Sequence, residues 1–300
     1  MTDFTLPVVI DIDSIGRCRA GIAGDNAPSV TFPCVVGRPK PGVVVSGAPR
    51  DYVGADMTRL KALERFNTTM PMLRGYVVDW DAMELVWDHA FYSELKVAPE
   101  EHQILLTEAA LTPSTDREKK AQIMFETYRV PGMHIASAAE LCLYAAKKSS
   151  GVVLQNDGDV LRAVPVYAGH ELSNAVSSFY MSPYHTDHRQ CSYRHWNEGQ
   201  CITNIIHRSV EACDPDIRGT LYANVLIPGD MIVPGPCHEL KKDLQCVVPF
   251  THDVHVFHSV GEDYTAWAGG SRLACPSNFT SVCVSVDEYN EMGPSAINKK

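Results

Sequence analysis

Short apolar runs separated by polar turns dominate the pattern of this chain, and two pairs of runs stand out. Residues 152–154 and 160–167 flank the polar segment 155–159 (QNDGD), whose Asp-Gly step predicts a β-hairpin. Residues 7–10 and 18–24 flank the acidic segment 11–17 in the same way. Two hairpins with short acidic loops suit a two-lobed protein that grips a phosphate chain. Between them the period changes. Asp79 is placed to cap a helix on which Trp80, Met83, Trp87 and Phe91 recur at helical spacing, a stripe read as core packing in preference to a ligand-holding face. Residues 104–107 predict a short buried strand. Thr115-Asp116-Arg117-Glu118 reads as a capping box opening a helix to about Tyr128, which Pro131 stops. Residues 136–148 are Ala/Leu-rich and helical, with Gly151 just past their end. This order predicts an α/β fold with mixed sheets and flanking helices.

The second half is less regular. Residues 177–201 show neither period and are rich in His, Tyr and Cys. Helices are expected over 204–212, ending near Asp214-Pro215, and over 238–244; a strand is expected over 254–257. Residues 221–227 form an apolar run, 228–236 are rich in Pro and Gly, and 39–49 (PKPGVVVSGAP) predict an exposed loop. No internal repeat or low-complexity tail is visible.

Composition narrows the function classes. A net charge of -10, with basic residues clustered only as Lys pairs, argues against a nucleic-acid surface. No apolar run reaches the roughly 18–20 residues of a membrane helix, and the start MTDFTLPVVIDID lacks the basic region of a signal peptide. The 10 cysteines form no CxxC pair, which suits reduced thiols in a cytosolic or nuclear protein. Cys142, between two leucines of a helix, is expected to pack and not to react. His185, His188, Cys191, His195 and Cys201 have side chains that suit Zn2+, but at no recognised zinc spacing; a polar or partner-binding loop is the simpler expectation. His252, His255 and His258 cannot all share one face of an extended run and are expected to be solvated.

Several long collinear segments resemble the actins and actin-related proteins. They are AGIAGDNAPSVTFPCVVGRPK (20–40), VAPEEHQILLTEAALTPSTDREKKAQIMFET (97–127), VPVYAGHEL (164–172), CDPDIRGTLYAN (213–224), WAGGSRLACPSNF (267–279) and DEYNEMGPSAI (287–297). The resemblance implies an actin-like, ribonuclease-H-like fold of two α/β domains around a cleft for ATP and a divalent metal. The first domain would hold residues 1–146 and 267–300, with a small lobe at about 34–70. The second, over 147–266, would be truncated, because the family's fourth lobe has only about forty residues between Leu172 and Cys213 to occupy. The irregular segment 177–201 would replace it.

Against the family pattern, the phosphate chemistry is altered. Gly-rich loops must let backbone N–H groups approach the phosphates, and carboxylates must hold the hydrated metal. In the first loop Asp11, Ser14 and Gly16 are matched if one residue is inserted, Arg19 takes the place of a phosphate-contacting lysine, and the middle glycine becomes Asp13 or Ser14. An acid there would repel phosphate oxygens. In the second loop, Gln155 and Asn156 open a segment in which Asp157, Gly158 and Asp159 keep the acidity displaced by one residue, and Arg162 replaces a histidine. Such a slip moves side chains to the opposite face. Ala138 stands where the family's water-positioning glutamine would be. Pro228-Gly229-Asp230 replaces Gly-Gly-Thr on the adenosine side, and Asp263 replaces a basic residue there.

Tyr144, Ala145, Gly169 and Leu273 match the family's hydrophobic partner groove, with Arg272 replacing an aliphatic residue; packing of the inter-domain hinge is the alternative. The resemblance and its departures together lead to the expectation of a cytoplasmic, cytoskeletal or nuclear-complex structural subunit. It would dock on actin filaments or in a larger assembly, with no membrane or nucleic-acid partner, without hydrolysing ATP and without forming its own filament. An ATP-binding, slowly hydrolysing actin-like ATPase is the alternative, with ATP or ADP and Mg2+ bound through Asp11, Ser14, Gly16, Arg19, Asp157, Gly158, Asp159 and Gly229. A metal-stabilised interaction module is a third.

Overall fold

Burial along the strand Thr5–Ile12 is continuous from Pro7 to Asp11 instead of alternating, so both of its faces are covered. It sits inside a six-stranded mixed sheet of a computed structural model that describes residues 5–13, 16–41, 52–54, 66–180, 202–229, 237–259 and 263–299. The chain divides into two units, Met1–Glu108 with Thr112–Ile135 and Ser271–Lys300, and Ala109–Leu111 with Ala136–Gly270.

In the first unit the strand order is Val284–Ser285, Gly132–Ser137, His102–Glu108, Thr5–Ile12, Arg17–Ile22, Val30–Pro33. Thr5–Ile12 pairs antiparallel with Arg17–Ile22 and parallel with His102–Glu108. The aromatic stripe packs as core: Met83, Trp87 and Phe91 are buried in one cluster with Ile10, Ile104 and Met124. Asp79 caps the helix Trp80–Asp88 as expected, accepting from the Ala82 N–H at 2.9 Å. Val36–Pro39 forms a small sheet with Tyr52–Val53 and Phe66–Thr69. Most of the expected loop at 39–49 lies outside the described residues.

The second unit repeats this strand order without repeating the sequence. Gly151–Asn156 pairs antiparallel with Val160–Tyr167, which pairs antiparallel with both Ser177–Tyr180 and His170–Glu171. On its other edge Gly151–Asn156 pairs parallel with Val225–Ile227, and that strand with Val256–His258. Each unit is therefore an antiparallel meander continued by crossover strands. The helix Ala138–Ala145 belongs with the second unit, not with residues before 146 as the sequence divides them, because Ala139, Cys142 and Leu143 pack on Val153, Val164 and Leu226. Cys142 is a packing residue, as expected.

Four local expectations change. No capping box forms at Thr115: Pro113, already extended at φ -60 and ψ 146, is the N-cap and contributes no side-chain bond, leaving Thr115 inside the helix Ser114–Gln122. The capping box is at Ser285, whose Oγ accepts from the Glu288 N–H at 3.2 Å while Glu288 Oε2 accepts from the Ser285 N–H at 2.9 Å. Residues 132–137, the last two of them expected in a helix, form a strand, and Pro215–Tyr222 forms a helix with Asp214 capping it. Residues 177–180, at the start of the irregular segment, form a strand; the rest of that segment, with His185, His188, Cys191, His195 and Cys201, lies outside the described residues.

Gly151 shows how tightly the second sheet is closed. A Cβ there would stand 2.3 Å from the Asn224 carbonyl oxygen, which accepts from the Val152 N–H at 2.8 Å. Backbone cannot yield as a flexible side chain does. Gly151→Ala should therefore lower stability by at least about 2 kcal/mol, read as a fall in the urea midpoint followed by circular dichroism.

Candidate functional site

The first hairpin is built on a square of charges. Its register places Asp11 opposite Arg19, and Asp13 N–H donates to the Arg17 carbonyl at 2.9 Å. Alternate residues share a face, so two acids on one strand meet two arginines on the next. Arg19 Nη1 lies 3.1 Å from Asp11 Oδ2, and Arg19 Nη2 lies 2.8 Å from Asp13 Oδ2. Arg17 Nε donates to Asp13 Oδ2 at 3.0 Å, and its backbone N–H donates to Asp13 Oδ1 at 2.8 Å. Thr107 Oγ1 donates to the remaining Asp11 oxygen at 2.7 Å. The side chains of Arg19, Asp11 and Asp13 are 1%, 6% and 7% exposed, so these pairs are barely hydrated. Burial pushes the Asp11 carboxyl above its ordinary value, while Arg19 and the Thr107 hydroxyl pull it back.

The turn is shorter than the sequence suggests. The strands extend to Ile12 and from Arg17. Gly16 adopts φ 82 and donates to the Asp13 carbonyl at 3.0 Å, a turn that a residue with a Cβ adopts only under strain. Ser14 lies outside the described residues. Cys18 and Cys34 are buried close behind; burial, then Asp13, pushes the Cys34 thiol up to about 12, and burial pushes Cys18 up as well. Neither is a thiolate nucleophile at neutral pH.

The second hairpin neutralises itself by a diagonal pair. Gln155 and Asn156, expected in the turn, are strand residues facing Arg162 and Leu161. Asp157 lies across from Val160, its N–H donating to that carbonyl at 2.7 Å, so Arg162 is two residues further along on the same face. The Arg162 Nη1 group is in direct contact with Asp157 Oδ2, with the two side chains 4% and 3% exposed. Gly158 holds the turn at φ 82. Gln155, standing where the resemblance expects a metal-side aspartate, accepts from the Ala110 N–H at 3.3 Å and is buried.

The other candidates divide between the units. Gly229 N–H donates to Thr265 Oγ1 at 3.2 Å; Asp263 is exposed, and Asp230 lies outside the described residues. Ala138 opens its helix with only a methyl group. Tyr144 and Gly169 are exposed and Ala145 is half-buried in the second unit; Arg272 is exposed and Leu273 half-buried in the first. His255 is exposed as expected. His252 is not fully solvated: it is half-buried and stacks on Tyr222 at 6.1 Å.

The carboxylates do not fit a divalent metal as they stand. Every oxygen of Asp11 and Asp13 already accepts from or pairs with a named partner. Asp157 is in contact with a guanidinium. A metal would have to displace cations that cannot lose their charge. Among the described residues no group of three or more His, Cys, Asp or Glu side chains is placed to hold a metal ion. The Asp13 and Arg17 pairing was missed from sequence although a signal exists: in DIDSIGRCR the acids 11 and 13 and the arginines 19 and 17 are symmetric about Ile15, as a hairpin ladder requires.

The chain matches the family described as Actin over residues 2–183 and 178–300.

The diagonal pair makes a measurable prediction. Arg162→Ala strands a buried carboxylate and should cost about 3–5 kcal/mol, whereas Arg162→Ala with Asp157→Ala should recover much of that loss. Chemical denaturation of the wild type, both single variants and the double variant closes the cycle. A loss in the double variant equal to the sum of the two single losses would show that the pair carries no coupling.

Proposed function

Because the chain belongs to the actin family, we propose that it is an actin-related structural or cytoskeletal subunit that does not hydrolyse ATP and does not polymerise with itself, docking on actin filaments or within a larger assembly. One observation carries this reading: the hairpin acids that a phosphate-bound metal would need are closed by arginines, Asp11 and Asp13 by Arg17 and Arg19, and Asp157 by Arg162. Opening them for Mg2+ would leave the buried guanidinium groups of Arg19 and Arg162 without counter-ions, at a cost of several kilocalories each. Ala138 cannot orient an attacking water, and positioning supplies most of the acceleration in phosphoryl transfer. The short interval between Leu172 and Cys213 has little room for the lobe that makes a longitudinal filament contact in the family, which supports the absence of self-assembly.

A second reading, a slow ATP-binding ATPase, is favoured by the two glycine turns. Gly16 and Gly158 both hold φ 82, the backbone form that lets N–H groups approach phosphate oxygens.

Purified protein, denatured and chromatographed, should release no stoichiometric nucleotide; one equivalent of ATP or ADP selects the second reading. At about 1 mM MgATP the unfolding free energy should rise by less than about 0.4 kcal/mol, the value for a half-filled site. In magnesium and salt the protein alone should stay in the supernatant on ultracentrifugation. Pelleting on its own overturns the claim that it does not self-assemble.

A further inference from the structure

Arg19 holds its two acids as a bridging metal would, not as an ordinary ion pair does. An arginine commonly meets a carboxylate through a fork, two nitrogens on the two oxygens of one acid. Here the nitrogens are divided: Nη1 donates to Asp11 Oδ2 at 3.1 Å, and Nη2 stands 2.8 Å from Asp13 Oδ2. One buried cation thus joins two carboxylates of one strand, as a divalent ion does in a carboxylate site. The other two oxygens are held without it. Asp11 Oδ1 accepts from the Thr107 hydroxyl at 2.7 Å, and Asp13 Oδ1 from the Arg17 N–H at 2.8 Å.

Exposure separates the two arginines. The Arg17 side chain is 31% exposed and pairs with Asp13 from the edge. Arg19 is 1% exposed and lies between both acids. With Arg19 in place the four groups sum to zero. Without it, two carboxylates and one guanidinium leave a negative charge inside the sheet, where water is too scarce to solvate it. A guanidinium keeps its proton at any pH at which the protein is folded, so titration does not release this contact.

We propose that Arg19 is the resident cation of the first hairpin, an autoinhibitory contact that fills a latent divalent-cation site between Asp11 and Asp13. The proposal rests on the reading that arginines close the hairpin acids. It goes further in assigning the closure to one side chain and in naming what that side chain excludes. Removal of the guanidinium exposes the Oδ2 atoms of both acids to a hard cation that binds through oxygen. Ca2+ suits them better than Mg2+, because calcium accepts irregular coordination whereas magnesium demands a near-ideal octahedron.

The test compares urea midpoints of the full chain, followed by circular dichroism without nucleotide, in EDTA and in about 5 mM CaCl2. Wild type and Arg19→Lys, which keeps a cation, should have the same midpoint in both. Arg19→Met should be destabilised in EDTA and should regain roughly 0.5 M urea in Ca2+. Arg19→Met combined with Asp13→Asn should lose that response. Should Arg19→Met fail to fold in EDTA, Ca2+ should restore its far-ultraviolet spectrum, and a chain still unfolded in Ca2+ counts against the proposal. An Arg19→Met midpoint indifferent to Ca2+, or an equal response in the double variant, overturns the proposal alone. A wild type stabilised by Ca2+ overturns the reading beneath it as well.

Discussion

A guanidinium buried in a sheet cannot shed its proton, so its neighbours must answer its charge, and Arg19 sets that requirement for the first unit. Asp11 and Asp13 reach it from the paired strand, and Arg17 shares Asp13 from the exposed side. The four groups sum to zero charge on one face of the hairpin. Their alternation requires the register in which Asp11 faces Arg19, because a slip of one residue would send the acids to the opposite face. Thr107 then ties the array to the parallel strand His102–Glu108 at the centre of the sheet.

The same rule holds in the second unit. Arg162 answers Asp157 within its own hairpin, and Gln155 gives its oxygen to a backbone N–H. The family's geometry survives in the glycine turns and in the strand order that both units share. The acids of both loops face arginines. A guanidinium is a fixed, non-exchangeable cation, and a hairpin closed by one needs neither nucleotide nor metal to be electrically complete.

The count of charges does not close everywhere. At Glu108 one carboxylate is shared by Arg117 and Lys120, and the lysine is the farther of the two. It lies among Ile12, Met83, Trp87 and Leu106, with no second acid lining their pocket among the described residues. Neutrality in the buried interior thus explains the closed hairpins.

Both hairpins, the Asp79 cap and the Trp87 stripe were legible in the chain, because local alternation, capping and helical spacing are properties of neighbouring residues. Family membership was legible too, from long collinear segments. Other features were not. The strand Gly132–Ser137 is recruited by a sheet whose other members lie far away in sequence, and Pro113 displaced the capping box expected at Thr115. The shared strand order of the two units leaves no sequence repeat, since topology depends on which positions are apolar and not on which residues fill them. Residues 11, 13, 17 and 19 are plain in the sequence as acids and bases. That they neutralise one another, and that Lys120 is left over beside Glu108, was decided by tertiary structure. Only cross-strand register and burial bring distant charges within a few ångströms and remove the water that would otherwise have screened them.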